Sequence, residues 1–197
     1  MIIISQPKAG TYLCSEIAKN LGLHQTYMHL SQLFYSQYDS DRMFESRQFP
    51  KKFQVKKPLE ESVNLIEPNS FAVTHVDCTP ENIELFDRFK KVVLLRDVNE
   101  ILSSRKKWLE ESGRTIAVKG DKRKPKINPW TRERIERLSD WTKVDNTFVL
   151  QFNQMIGKDI EAIDGLQLFL FNEIKHNSLD VIEKSLQAET FTKSSKR

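Results

Sequence analysis

Residues 1–23, MIIISQPKAGTYLCSEIAKNLGL, decide how the chain is read. Ile2, Ile3 and Ile4 form a continuous apolar run rather than an alternating one, the pattern of a strand buried on both faces of a parallel sheet. After Gly10, the residues Leu13, Ile17, Ala18 and Leu21 recur at helical spacing, and Gly22 supplies a stop. The stretch therefore predicts a strand, a short glycine-containing loop and a helix in immediate succession. That order aims backbone N–H groups and the positive end of a helix dipole at whatever lies over the loop. Lys8 adds a full charge, Gly10 permits close backbone approach and Thr11 offers a hydroxyl. Two readings stay open on this stretch alone: a phosphate cradle, or a plain strand-to-helix turn with a surface lysine. The loop is not the nucleoside triphosphatase P-loop, which needs Gly-Lys-Ser/Thr where this chain has Lys-Ala-Gly-Thr. No hydroxyl follows the lysine to hold magnesium.

The 197 residues suit one well-buried domain spanning 1–197, and 39% hydrophobic with 29% charged residues is ordinary for a soluble globular chain. No apolar run is long enough to cross a bilayer, and the N-terminus lacks the features of a secretory signal. Cys14 and Cys78 alone make a disulfide framework or a zinc site improbable, so the cytoplasm is the expected compartment. The net charge of +4 is unevenly placed, because Arg105 to Lys126 holds nine Lys/Arg against three Asp/Glu. This segment includes KGDKRKPK, read as part of a mobile basic loop over 113–130: either a solvated surface loop or a flap over an anionic ligand. A flexible C-terminal tail is expected as well. Charge concentrated in one loop without interleaved aromatics argues against a nucleic-acid partner.

Further along, FAVTH (71–75) is a short β-prone run ending at His75, and Thr79 with Pro80 reads as the N-cap and first residue of a helix to about Phe89. In KVVLLRD, Val92 to Leu95 predicts a second buried strand, with Arg96 and Asp97 at its end and a helix reaching about Leu109. FVLQF (148–152) is a fourth strand candidate, followed by helical patterns over 160–173 and 179–186. Buried strands alternating with helices mean an α/β fold, a central mostly parallel sheet flanked by helices. Ligands of such sheets sit beyond the carboxyl ends of the strands. The residues there are Lys8, His75, Arg96 and Phe152: two cations, a titratable base and an aromatic ring.

These segments resemble the sulfotransferases that use 3′-phosphoadenosine 5′-phosphosulfate. QPKAGTYL resembles their loop for the 5′-phosphosulfate, through Pro7, Lys8, Gly10 and Thr11 followed by Tyr12 and Leu13. VVLLRDVNEILSS resembles their 3′-phosphate segment, with Arg96 and, eight residues on, Ser104. VTH resembles the strand ending in a catalytic histidine, and FVLQFNQM a degraded form of a later strand that places Phe152 against adenine. The resemblance covers about 1–22 and 69–109, with an echo at 148–157. It departs at Ala9, where a hydroxyl residue is usual, at Val73, where some members have lysine, and in lacking an Arg-Lys-Gly segment; FTKSSKR is no substitute.

The resemblance implies a three-layer P-loop-like fold and sulfuryl transfer to a hydroxyl or amine, with 3′-phosphoadenosine 5′-phosphate as product and no metal required. It assigns Lys8 to the leaving phosphate and His75 to the general base, since an imidazole of ordinary pKa can take a proton at neutral pH. It assigns Lys8, Ala9, Gly10, Thr11, Tyr12, Arg96, Ser104 and Phe152 to the nucleotide, with Tyr12 and Phe152 on either side of adenine. Arg96 has an alternative as partner of Asp97 or Glu100 in a helix-start salt bridge. Aromatics between 24 and 57 (Tyr27, Phe34, Tyr35, Tyr38, Phe44, Phe49 and Phe53) line either an acceptor cleft or a core. The acceptor is a small molecule or a glycan, of unspecified class, and the oligomeric state is not encoded in any motif. His24 and His29 lack a third clustered ligand, so a metal site is rejected. The rival readings are a P-loop-like nucleotide kinase and a non-catalytic nucleotide-binding protein of the same fold.

Overall fold

A computed structural model describes residues 1–38, 52–111 and 132–188. Its seven-stranded sheet runs in the spatial order Lys52–Lys56 (β4), Phe34–Tyr38 (β3), His24–Leu30 (β2), Ser70–Thr74 (β5), Ile2–Ser5 (β1), Lys91–Leu95 (β6) and Thr147–Gln151 (β7). Strand β1 (Ile2–Ser5) pairs in parallel with β5 (Ser70–Thr74) on one side and β6 (Lys91–Leu95) on the other. Beyond β6, β7 (Thr147–Gln151) continues the parallel set. Strand β2 (His24–Leu30) is also parallel to β5, whereas β3 (Phe34–Tyr38) and β4 (Lys52–Lys56) add antiparallel pairs at that edge. The α/β expectation with a mostly parallel sheet holds.

The continuous runs in β1, β5 and β6 are buried on both faces, so adjacent residues feed different layers. Ile3, Val73, Val92 and Leu94 pack beneath α1 (Thr11–Asn20), α7 (Ile160–Phe171) and α8 (Ser178–Gln187). Ile2, Ile4, Ala72 and Val93 pack on the other side against Leu59 of α2 (Leu59–Ser62), Phe86 of α3 (Pro80–Phe86) and Trp141. The cap of α3 is as expected, with Thr79 Oγ1 accepting from the Asn82 N–H at 3.3 Å, although the helix ends at Phe86. Helix α4 (Val98–Glu111) is capped by Asp97, whose Oδ1 accepts the Glu100 N–H at 3.0 Å.

One expectation changes, and two regions hold elements that no motif marked. Residues 24–30, 34–38 and 52–56 are strands, so Tyr27, Phe34, Tyr35, Tyr38 and Phe53 lie on the sheet extension, while Phe44 and Phe49 fall outside the described residues. Phe152 does not end β7 but opens α6 (Phe152–Ile156), because Gln151 and Gln154 form a reciprocal capping box. Helix α5 (Arg132–Arg137) and the 3-10 helix Leu138–Lys143 had no counterpart in the sequence reading. The basic loop 113–130 and FTKSSKR lie outside the described residues.

Candidate functional site

The carboxyl end of β1 turns sharply into α1. Ala9 N–H donates to the Gln6 carbonyl at 3.0 Å, and the turn closes through two left-handed residues, Lys8 (φ 73) and Gly10 (φ 96). A non-glycine residue at positive φ is costly, so Lys8 is held there by its surroundings. Gly10 has a further reason to be glycine: a Cβ would come within 2.7 Å of Phe152 Cε2. No side chain caps α1 and its first turn carries no acid to offset the positive end of the helix dipole.

Arg96, just past β6, holds this loop. Its Nη1 donates to the Lys8 carbonyl at 2.9 Å, its Nε pairs with Glu100 Oε2 at 2.9 Å, and its guanidinium lies 4.1 Å from the centroid of the Phe152 ring. The helix-start salt bridge therefore exists, with Glu100 as the partner while Asp97 serves as cap. Phe152 is packed between Gly10 and Arg96.

His75, half-buried, follows β5 beside the end of β1. Its Nδ1 is hydrogen-bonded to the Ser5 carbonyl and lies 3.5 Å from Ser5 Oγ. A carbonyl only accepts, so the ring carries a proton on Nδ1. Ser5, fully buried, shares its hydroxyl with Thr11 Oγ1 at 2.7 Å. One residue at the end of β1 thus joins the histidine to the first turn of α1.

The loop after β5 is fixed from the far side. Trp141 Nε1 donates to the Val76 carbonyl at 3.2 Å, Arg134 pairs with Asp77 at 3.2 Å, and Gln6 Nε2 donates to the Arg134 carbonyl at 3.2 Å. Gln6 also borders a cavity of about 220 Å³ between Arg96, Ile101, Ile135 and Ser139.

The structure thus brings Lys8, Gly10, Thr11, His75, Arg96 and Phe152 to one end of the sheet. Tyr12, half-buried, follows on α1. Ala9 is buried in the core and its N–H is engaged by Gln6, so it presents neither a hydroxyl nor a spare donor. Ser104, half-buried on α4, makes no hydrogen bond to Arg96. Of the basic segment, Arg105 to Glu111 lies within α4, and burial pushes the Arg105 guanidinium pKa down. Sequence reasoning missed Ser5 and His29. The ring of His29 lies 4.8 Å from that of His75, at an interplanar angle of 51°. Its signal was available, since residue 29 is near the carboxyl end of a parallel strand once β2 is recognised.

No protein-family profile and no curated protein matches the chain in sequence. Solved structures do. The mouse sulfotransferase SULT7A1, crystallised with PAP, superposes with a TM-score of 0.56 at 12% identity, covering 93% of this chain and 62% of its own. The fold is that of the sulfotransferases. Retinol dehydratase, solved with androsterone and the inactive cofactor PAP, shares this sulfotransferase fold with a TM-score of 0.55 at 14% identity, over 94% of this chain and 63% of its own. The chain thus spans less than two thirds of the length of these sulfotransferase-fold neighbours. Among the described residues, no group of three or more His, Cys, Asp or Glu could hold a metal ion, and no helix is long and apolar enough to cross a membrane.

Proposed function

We propose that the chain transfers a sulfuryl group from 3′-phosphoadenosine 5′-phosphosulfate to a hydroxyl or amine of a small-molecule or glycan acceptor. One observation carries the reading: Ser5 joins His75 through its carbonyl and Thr11 through its hydroxyl, so a base and an anion-facing helix start share one anchor.

The residues fit the nucleotide best at its 5′ end. The left-handed Gly10, the uncapped start of α1 and Lys8 suit a phosphate closely approached by backbone. At the 3′ end the fit is thinner, since Arg96 shares its guanidinium with Glu100 and the Lys8 carbonyl, and Ser104 stands apart. When bound, the nucleotide supplies an activated sulfuryl group whose departure leaves charge on a phosphate. Lys8 and the first N–H groups of α1 face that charge, the electrostatic contribution that dominates group transfer of this kind. His75, protonated on Nδ1 by its bond to Ser5, takes the acceptor's proton on Nε2. Arg96 holds the loop closed through the Lys8 carbonyl.

Thermal unfolding with 3′-phosphoadenosine 5′-phosphate, 5′-AMP and ATP–magnesium tests the reading. A ligand at a hundredfold its Kd adds about 2.7 kcal/mol, a rise of roughly 5–10 °C for a chain of this size. A rise selective for the 3′-phosphorylated nucleotide is expected; an equal rise with ATP–magnesium points to a nucleotide kinase instead. Lys8→Ala and His75→Ala should each abolish transfer while the fold persists, and normal turnover in either removes the mechanism. A second reading, a nucleotide-binding protein without transfer, is favoured by the Arg96–Glu100 pair and corresponds to the selective rise without turnover on any acceptor.

A further inference from the structure

We infer that the cavity between β6, the start of α4 and α5 is a ligand site for a small neutral ring carrying one hydrogen-bond donor, with the Gln6 amide oxygen as its acceptor. Such a site is independent of the transferase reading, since Lys8, Thr11 and His75 are not among the residues that line it. Ser5 turns its side chain to Thr11 and His75, whereas Gln6, the next residue, turns to α5, where its Nε2 donates to the Arg134 carbonyl at 3.2 Å. Because a carbonyl only accepts, that bond fixes which end of the amide is nitrogen. The oxygen, Oε1, is buried in a side chain only 2% exposed and meets no hydrogen-bond donor among the described residues. A buried acceptor without a donor is costly to keep, and Gln6 borders the cavity, so the missing donor is supplied from there.

The walls decide the rest of the ligand. Leu94, Ile101, Ile135 and Leu138, each no more than 5% exposed, make the lining mainly aliphatic. The charges at its edge are already matched, Arg96 with Glu100 at 2.9 Å and Glu136 with Arg132 at 3.7 Å. Ser139 has no proton to offer either, because its hydroxyl donates to the Glu136 carbonyl at 2.7 Å. An ion would lose its hydration here without gaining a partner, so the occupant is neutral. Glu136 and Ser139 are exposed, which puts the entrance beside the end of α5. An apolar cavity of about 150 Å³ holds benzene, so one of about 220 Å³ accepts a six-membered ring with one or two substituents. A single water would satisfy Oε1 and leave most of the aliphatic wall uncovered.

Fluorine NMR of para-fluorophenol and para-fluorotoluene, rings of nearly equal shape of which only the first carries a donor, tests the site on the full-length protein without nucleotide. Both should bind the unmodified chain. Ile135→Trp, which fills the cavity, should abolish binding of both, and Val98→Phe takes its place if that variant does not fold. Gln6→Met keeps the length of the side chain without its acceptor, and Gln6→Leu does the same with a shorter one. In either, the affinity for para-fluorophenol relative to para-fluorotoluene should fall about five- to tenfold. Failure of the transferase reading, seen as absent nucleotide binding or an active His75→Ala, leaves these outcomes untouched. The site is overturned by any of three results. An affinity ratio unchanged within about twofold removes Gln6 as the acceptor. Binding that survives in the filled variant places the rings elsewhere. No binding of either probe at millimolar concentration leaves a cavity for water alone.

Discussion

Arg96 serves three neighbours with one side chain: the Lys8 carbonyl, the Glu100 carboxylate and the face of Phe152. The first and third fix the Lys8–Gly10 turn, and the second competes with any phosphate brought to the same guanidinium. Glu100 is about half exposed, so the ion pair itself is worth at most about 1 kcal/mol. Under the proposed function its charge opposes a 3′-phosphate held at Arg96. Glu100→Gln should tighten binding of 3′-phosphoadenosine 5′-phosphate about two- to fivefold and leave 5′-AMP unchanged, because only the former carries the phosphate that Glu100 repels. Calorimetric titration of both nucleotides measures this. Weaker binding of the 3′-phosphorylated nucleotide would instead make Glu100 the group that aims Arg96.

At the scale of elements, the loop after β5 depends on a segment with no visible claim to the site. Trp141 is fully buried, stacks on Phe86 at 5.6 Å and donates to the Val76 carbonyl next to His75. Trp141→Phe retains most of the apolar contact but leaves that buried carbonyl without its donor, so urea unfolding should show a loss of about 1–3 kcal/mol. Such dependence explains what could be read from sequence. Ile2–Ser5, Ser70–Thr74 and Lys91–Leu95 were legible because strands buried on both faces must be continuously apolar. HQTYMHL is neither continuous nor alternating, because its pairing with β5 shifts register between Gln25 and Tyr27 and again between Tyr27 and Leu30. With β2 unread, His29 could not be placed beside His75. RERIER showed only charge, since a single buried residue, Ile135, ties α5 to the core. Lys8, His75 and Arg96 were legible through motif and strand-end position, whereas Ser5 and the partners of Arg96 are tertiary facts.

For the whole molecule, β1 couples the two layers to the site, because Ile3 belongs to one layer, Ile2 and Ile4 to the other, and Ser5 to the loop anchor. Damage to either layer should therefore reach the entire sheet. Ile3→Ala and Ile4→Ala each empty a fully buried side chain and should each cost about 2–5 kcal/mol. At about 2–4 °C per kcal/mol, both midpoints should fall clearly. The two layers carry separate reporters. Burial pushes the Cys14 thiol up to about 12, so in a Cys78→Ser background its reaction with a thiol reagent reports opening of the α1 layer. With Trp108 and Trp130 replaced by Phe, Trp141 fluorescence follows the opposite layer. If β1 makes one cooperative unit, both reporters give the same urea midpoint in either variant. Separate midpoints, with Cys14 exposed first in Ile3→Ala and the Trp141 signal lost first in Ile4→Ala, would mean that the layers open independently. The Lys8–Gly10 turn and the start of α1 would then be held by their local bonds to Arg96 and Ser5 rather than by the sheet.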